Sequence, residues 1–145
     1  MGLSKLDQLY RQVILDHSQH PHHYGTLDES THTIELNNPT CGDVIQLHFL
    51  IEGNRITDIR FSGHGCTISK ASASMMTDLM VGKTLEEALQ LEKQFSLLVQ
   101  GEEMKDVEEL EELGDAILLS GVAKFPARIK CATLSWKALE KALAE

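Results

Sequence analysis

Val44-Ile45-Gln46-Leu47-His48-Phe49-Leu50-Ile51-Glu52-Gly53-Asn54 places Ile45, Leu47, Phe49 and Ile51 in alternation with Val44, Gln46, His48 and Leu50, and closes on a Gly-Asn pair. A period of two is the signature of a strand with one buried face. Glu52-Gly53-Asn54 supplies the hairpin turn, and Ile56 to Phe61 is the returning strand. Upstream, from Thr31, Ile34 and Leu36 alternate with Thr33 and Glu35. Together they predict a three-stranded antiparallel meander, and such a sheet needs a cover for its apolar face.

The flanking segments supply that cover. Ser4 with Asp7 is a capping signal ahead of Leu6, Leu9, Tyr10, Val13 and Ile14 at helical spacing, which predicts a first helix to about Asp16. His17-Ser18-Gln19-His20-Pro21-His22-His23-Tyr24-Gly25 follows as a loop by its Pro and Gly, and its four histidines are expected to be solvated. Ser62-Gly63-His64-Gly65-Cys66 ends the third strand and opens a helix through Ile68, Ala71, Met75, Met76 and Leu79 to Gly82, with the methionines as core filler. Thr84 and Glu87 form a capping box for a helix ending near Gly101, with Leu85, Ala88, Leu89 and Phe95 on its buried stripe. Ala116 to Leu119 reads as one or two helical turns. Pro126 starts a last helix through Trp136 to Leu143.

The bulk properties exclude several classes. At 145 residues, with 42% apolar and 24% charged residues, the chain is one domain over 1–145, large enough to fold without disulfides. No run is long enough to span a membrane, the N-terminal stretch is amphipathic and of mixed charge, and the expected location is the cytoplasm. Three cysteines without close spacing argue against a disulfide framework and for ligands or nucleophiles. Residues 102–115 hold eight acids against Lys105 and so carry −7 of the formal −9, leaving −2 elsewhere. That acidic insertion is expected to be a solvated face, and no basic patch points to nucleic acid.

Chemistry concentrates in Asn38-Pro39-Thr40-Cys41-Gly42-Asp43, where a thiol and a carboxylate flank a residue that takes positive φ without steric cost. Cys41 and Asp43 can then converge on one ion from a loop stiffened by Pro39. Cys66 lies at a helix N-terminus, where unpaired amides and the macrodipole favour a thiolate; taken alone it is equally well a buried inert cysteine. Cys131 shares a helix face with Leu134 and Ala138, which predicts an inward thiol. If the fold gathers all four, three thiolates and a carboxylate match tetrahedral zinc and leave the centre at about −2, with electron-rich sulfurs. Ligands from three separate regions are unlike the paired cysteines of a purely structural site.

Leu9-Tyr10-Arg11-Gln12-Val13-Ile14-Leu15-Asp16-His17, the Asn38 to Asp43 motif, Ser62-Gly63-His64-Gly65-Cys66-Thr67-Ile68-Ser69-Lys70-Ala71-Ser72 and Arg128-Ile129-Lys130-Cys131 resemble the IscU-like family of iron-sulfur cluster assembly. The likeness runs nearly end to end and extends to the SufU-type branch, with the NifU N-terminal-like fold. It implies an α+β sandwich, a small three-stranded antiparallel sheet packed against several helices, of SufE/NifU-like type. Lys130 stands where the scaffold branch has a histidine, and Phe125-Pro126-Ala127-Arg128 replaces a Pro-Pro-Val-Lys segment that a chaperone recognises there. The acidic insertion is itself a SufU-type feature.

The resemblance implies zinc held by Cys41, Asp43, Cys66 and Cys131, and sulfur accepted from a pyridoxal-phosphate cysteine desulfurase of the SufS type. Cys41 is the implied catalytic thiol: a partner side chain displaces it from zinc, and it attacks the outer sulfur of the enzyme's persulfide. Arg128, one turn before Cys131, reads equally as a contact to an acid on that partner or as a plain surface arginine. Downstream cluster-assembly proteins would receive the sulfur. The alternative cofactor is a [2Fe-2S] cluster built on the same residues, and a third reading makes the zinc purely structural.

Overall fold

The computed structural model describes residues 5–27, 30–38, 42–99, 119 and 126–143. The elements are α1 (Lys5–Gln19), β1 (His32–Asn38), β2 (Asp43–Glu52), β3 (Arg55–His64), α2 (Thr67–Met80), α3 (Leu85–Val99) and α4 (Pro126–Leu143). The sheet has the order β1-β2-β3 and is antiparallel throughout, as the alternation predicts. Register puts Leu47 opposite Phe61 and Phe49 opposite Ile59, so these apolar side chains share one face. They are buried with Ile45 and Ile56. Each such side chain contributes about 1.5–3 kcal/mol when fully withdrawn from water.

Helices α2 and α4 cover that face, α2 against β3 and α4 against β1 and β2. Met75 and Met76 of α2 are both in the core, as expected. Trp136 of α4 stacks on Phe95 of α3, with ring centroids 4.0 Å apart and 8° between planes. Its indole N–H donates to Ser72 Oγ at 2.9 Å, and Ser72 in turn donates to the Ala132 carbonyl. A buried Trp is tolerated only when its N–H finds an acceptor, and this chain of bonds ties α2 to α4. The Thr84 and Glu87 capping box forms: Glu87 N–H donates to Thr84 Oγ1 and Thr84 N–H to Glu87 Oε1.

Four expectations change. Helix α1 runs to Gln19, so His17 is helical and 3% exposed. The segment after it keeps His20 and His22 exposed, as expected, but its backbone is pinned: Phe61 N–H donates to the His23 carbonyl and Gly25 N–H to the Phe61 carbonyl. Strand β3 continues through His64 because Val44 supplies a pairing partner out to that residue. His48, on the outward row, is 8% exposed because it joins a polar row with its Nε2 3.2 Å from Ser62 Oγ, which donates to Gln46 Oε1. Burial pushes the His48 imidazole below its ordinary pKa.

The Ser4 cap, the acidic insertion at 102–115 and the turns expected from Ala116 lie outside the described residues; Leu119 is buried. Among the described residues no helix is long and apolar enough to cross a membrane.

Candidate metal centre

Three elements bring three of the four predicted ligands together, Asp43, Cys66 and Cys131. Asp43 opens β2, paired with Asn38 across the sheet, and is 0% exposed. The carboxylate is therefore carried by a strand and not by the loop expected from sequence. Gly42 before it takes φ 73°, the left-handed conformation that the turn between β1 and β2 requires. Cys66 is the N-cap of α2, half-buried, with extended backbone at φ −75° and ψ 173°. It makes no side-chain capping bond, so its sulfur is not engaged with the helix amides. Cys131, in the second turn of α4, is 0% exposed.

One ligand atom from each of Asp43, Cys66 and Cys131 falls within 4.8 Å of the others. The edge of a zinc-thiolate tetrahedron is about 3.8 Å, from bonds of about 2.3 Å, so the three need small adjustments to share one ion. Cys41 lies outside the described residues, two positions before Asp43 in the chain. Arg128 has its backbone in α4, and its side chain is likewise outside what is described. Lys130 is exposed.

The polar bookkeeping at the site is incomplete in a specific way. Asp43 Oδ1 accepts the Cys66 N–H at 2.9 Å, which holds strand and helix cap together. Asp43 Oδ2 is buried without a hydrogen-bond partner, and so is Ser69 Oγ one turn into α2. A buried carboxylate oxygen left unpaired costs about 1–3 kcal/mol or more, and a cation is what would offset it. Two thiols and such a carboxylate fit zinc, a borderline-soft ion that takes sulfur and oxygen together. Gly65 is part of the fit: a Cβ there would lie 2.8 Å from Asp43 Oδ1 and 3.1 Å from Ser69 Cβ.

The sequence gives the glycines beside Cys66 a close backbone approach, but the neighbours of Gly65, Asp43 and Ser69, were not legible in it. The available signal was spacing, since Ser69 stands at i+3 from Cys66 and so on the helix face of the cap.

Residues 9–144 match the family described as "NifU-like N terminal domain". The chain belongs to that family. Among curated relatives, an iron-sulfur cluster assembly scaffold protein IscU of Streptococcus pyogenes serotype M1 is 56% identical over 143 residues, 99% of this chain and 87% of the relative. The zinc-dependent sulfurtransferase SufU of Bacillus subtilis (strain 168) is 53% identical over 142 residues, 98% of this chain and 94% of that one. Among solved structures, a SUF-system cluster assembly scaffold protein of Fervidobacterium islandicum AW-1 superposes with TM-score 0.79 at 35% identity, covering 97% of this chain and 96% of that chain. A NifU-like N-terminal structure from Brucella abortus, at TM-score 0.83 and 18% identity over 97% of this chain and 96% of its own, shares the fold. This NifU-like chain thus has the expected α+β sandwich, and its family is the one that its motifs indicate.

Proposed function

We propose that this chain serves iron-sulfur cluster assembly as a zinc-dependent sulfur acceptor, with Cys41, Asp43, Cys66 and Cys131 as the zinc ligands. One observation carries the reading: buried Asp43, one of whose oxygens has no hydrogen-bond partner, offers a carboxylate oxygen within 4.8 Å of two thiols that come from separate helices. Bound zinc would keep the thiols deprotonated at neutral pH. Asp43 and Cys131 are fully buried on regular elements and serve as fixed anchors. Cys41 follows Pro39 and precedes Gly42, outside any regular element that the sequence predicts, and is the thiol suited to exchange.

The donor is a pyridoxal-phosphate cysteine desulfurase of SufS type. Its persulfide presents an electrophilic outer sulfur. The Cys41 thiolate attacks that sulfur, a new S–S bond forms on Cys41, the old one breaks, and the desulfurase thiolate leaves. Arg128 would meet a carboxylate on this partner, and downstream cluster-assembly proteins would take the sulfur.

The second reading, a scaffold that carries a [2Fe-2S] cluster as cargo, is supported by the Streptococcus pyogenes relative, which bears the scaffold name. Lys130 before Cys131 speaks against it, because an ammonium at that position offers no lone pair while charged.

The test mixes the chain with a SufS-type desulfurase and cysteine and follows mass. A gain of one sulfur on Cys41, absent in Cys41→Ala and lost on zinc removal, is the expected outcome. A colourless, zinc-bearing protein that never acquires sulfur overturns sulfur transfer, and a brown iron-bearing one favours the scaffold.

A further inference from the structure

A second group of metal-binding side chains lies where α1 meets α2. His17 in the last turn of α1, His22 in the following segment and Asp78 in the last turn of α2 each offer a ligand atom, all within 4.8 Å of one another. The sequence suggests solvated histidines at this place; His17 is instead buried, and exposed His22 is held in position by the fold.

Ser74 of α2 does much of the fixing. Its Oγ is 2.7 Å from His17 Nδ1 and accepts the His22 backbone N–H at 2.8 Å. His22 Nδ1 stands 2.6 Å from Asp78 Oδ2, and His23 Nδ1 stands 3.4 Å from the other oxygen of the same carboxylate. The His17 and His22 ring centroids lie 4.6 Å apart with the planes tilted by 48°. His17 is 3% exposed whereas His22 and Asp78 are open to solvent, which makes a site with a buried floor and an accessible mouth.

We propose that His17, His22 and Asp78 bind a first-row divalent transition ion of the zinc, cobalt or nickel type, separate from the Asp43 centre. Two imidazoles and a carboxylate are donors for such ions, and three protein ligands leave a position for water. The ion takes the place of the proton shared by His22 and Asp78. It cross-links α1 to α2 on the side of the sandwich where Tyr24 joins the edge of β3. It does not depend on the function proposed above.

Cobalt(II) is the probe, titrated into the metal-free full-length chain and into His22→Asn/Asp78→Asn. Both altered side chains are solvent-exposed, so the double variant is expected to fold, and circular dichroism checks that it does. The variant should bind one equivalent fewer per chain than the natural sequence. The lost absorption should be ligand-field bands alone, with any thiolate-to-cobalt charge-transfer band unchanged. Substituting the exposed His32 and His64 by Asn should remove no equivalent. Equal binding by the natural chain and the double variant, loss of charge transfer in the double variant, or an equivalent lost with His32 and His64 would each overturn the assignment. If the Asp43 centre takes no cobalt, charge transfer is missing throughout while the difference of one equivalent persists, so the two proposals fail separately.

Discussion

Asp43 is the residue on which most rests, because one of its oxygens is bonded and the other is not. Asp43→Asn keeps the Oδ1 acceptor for the Cys66 amide and the shape of the side chain. In metal-free protein this change should cost little or stabilise, while zinc affinity falls at least tenfold, about 1.4 kcal/mol. Chemical denaturation with and without zinc reads both numbers. A metal-free variant destabilised by more than about 2 kcal/mol would mean that the carboxylate serves the apo fold. Gly65 makes the complementary case. An alanine there pushes against Asp43 Oδ1 at 2.8 Å and Ser69 at 3.1 Å, so Gly65→Ala should weaken zinc binding by a similar factor. Unchanged affinity by competition with a chromophoric chelator would contradict that account.

At the scale of elements, the α3–α4 contact contains a buried acid that the site does not use. Glu92 is 2% exposed, accepts from Ser96 Oγ at 2.8 Å and lies 3.1 Å from Lys137 Nζ. Burial pushes its carboxyl above the ordinary glutamate range, and sharing a proton with Glu140 adds to this. Burial alone would lower Lys137, but Glu92 and Glu140 override it and raise the ammonium. For an acid whose folded pKa is raised, the folded state holds the extra proton, so stability falls as pH rises from the unfolded value through the folded one. Glu92→Gln keeps the acceptor without the charge. Relative to the natural chain it should gain stability as pH climbs from the ordinary glutamate range to neutrality, as urea midpoints across that range would register. A gap that moves the other way would show that the Lys137 pair outweighs burial.

The same scale shows where the sequence sufficed. Alternation from Val44 determined the sheet because a one-residue slip would expose Leu47 and Phe49. The Thr84 box and Pro126 marked two helix starts through local hydrogen bonding and ring geometry. Position in the sheet was less legible: Asp43 counts as a turn residue by composition, and only its pairing with Asn38 makes it a strand residue. The histidine segment misled for a related reason, since Pro and Gly signal a loop without revealing that Ser74 and Phe61, 52 and 37 positions beyond His22 and Tyr24, hold it in place. Tertiary partners so distant leave no mark in local pattern.

For the whole molecule, a zinc held as proposed by β2, α2 and α4 would be a cross-link among the layers of the sandwich. An ion at a hundredfold its dissociation constant stabilises the folded state by about 2.7 kcal/mol. Chelation should therefore lower the melting temperature by roughly 10 °C for a chain of this size. Zinc K-edge absorption on protein loaded with one equivalent of zinc goes to the proposed ligand set itself. The account predicts a nearest shell of three sulfurs at about 2.3 Å and one oxygen at about 2.0 Å, with sulfur reduced to two in Cys131→Ser. A shell of nitrogen and oxygen alone, or one that Cys131→Ser leaves unchanged, would contradict it.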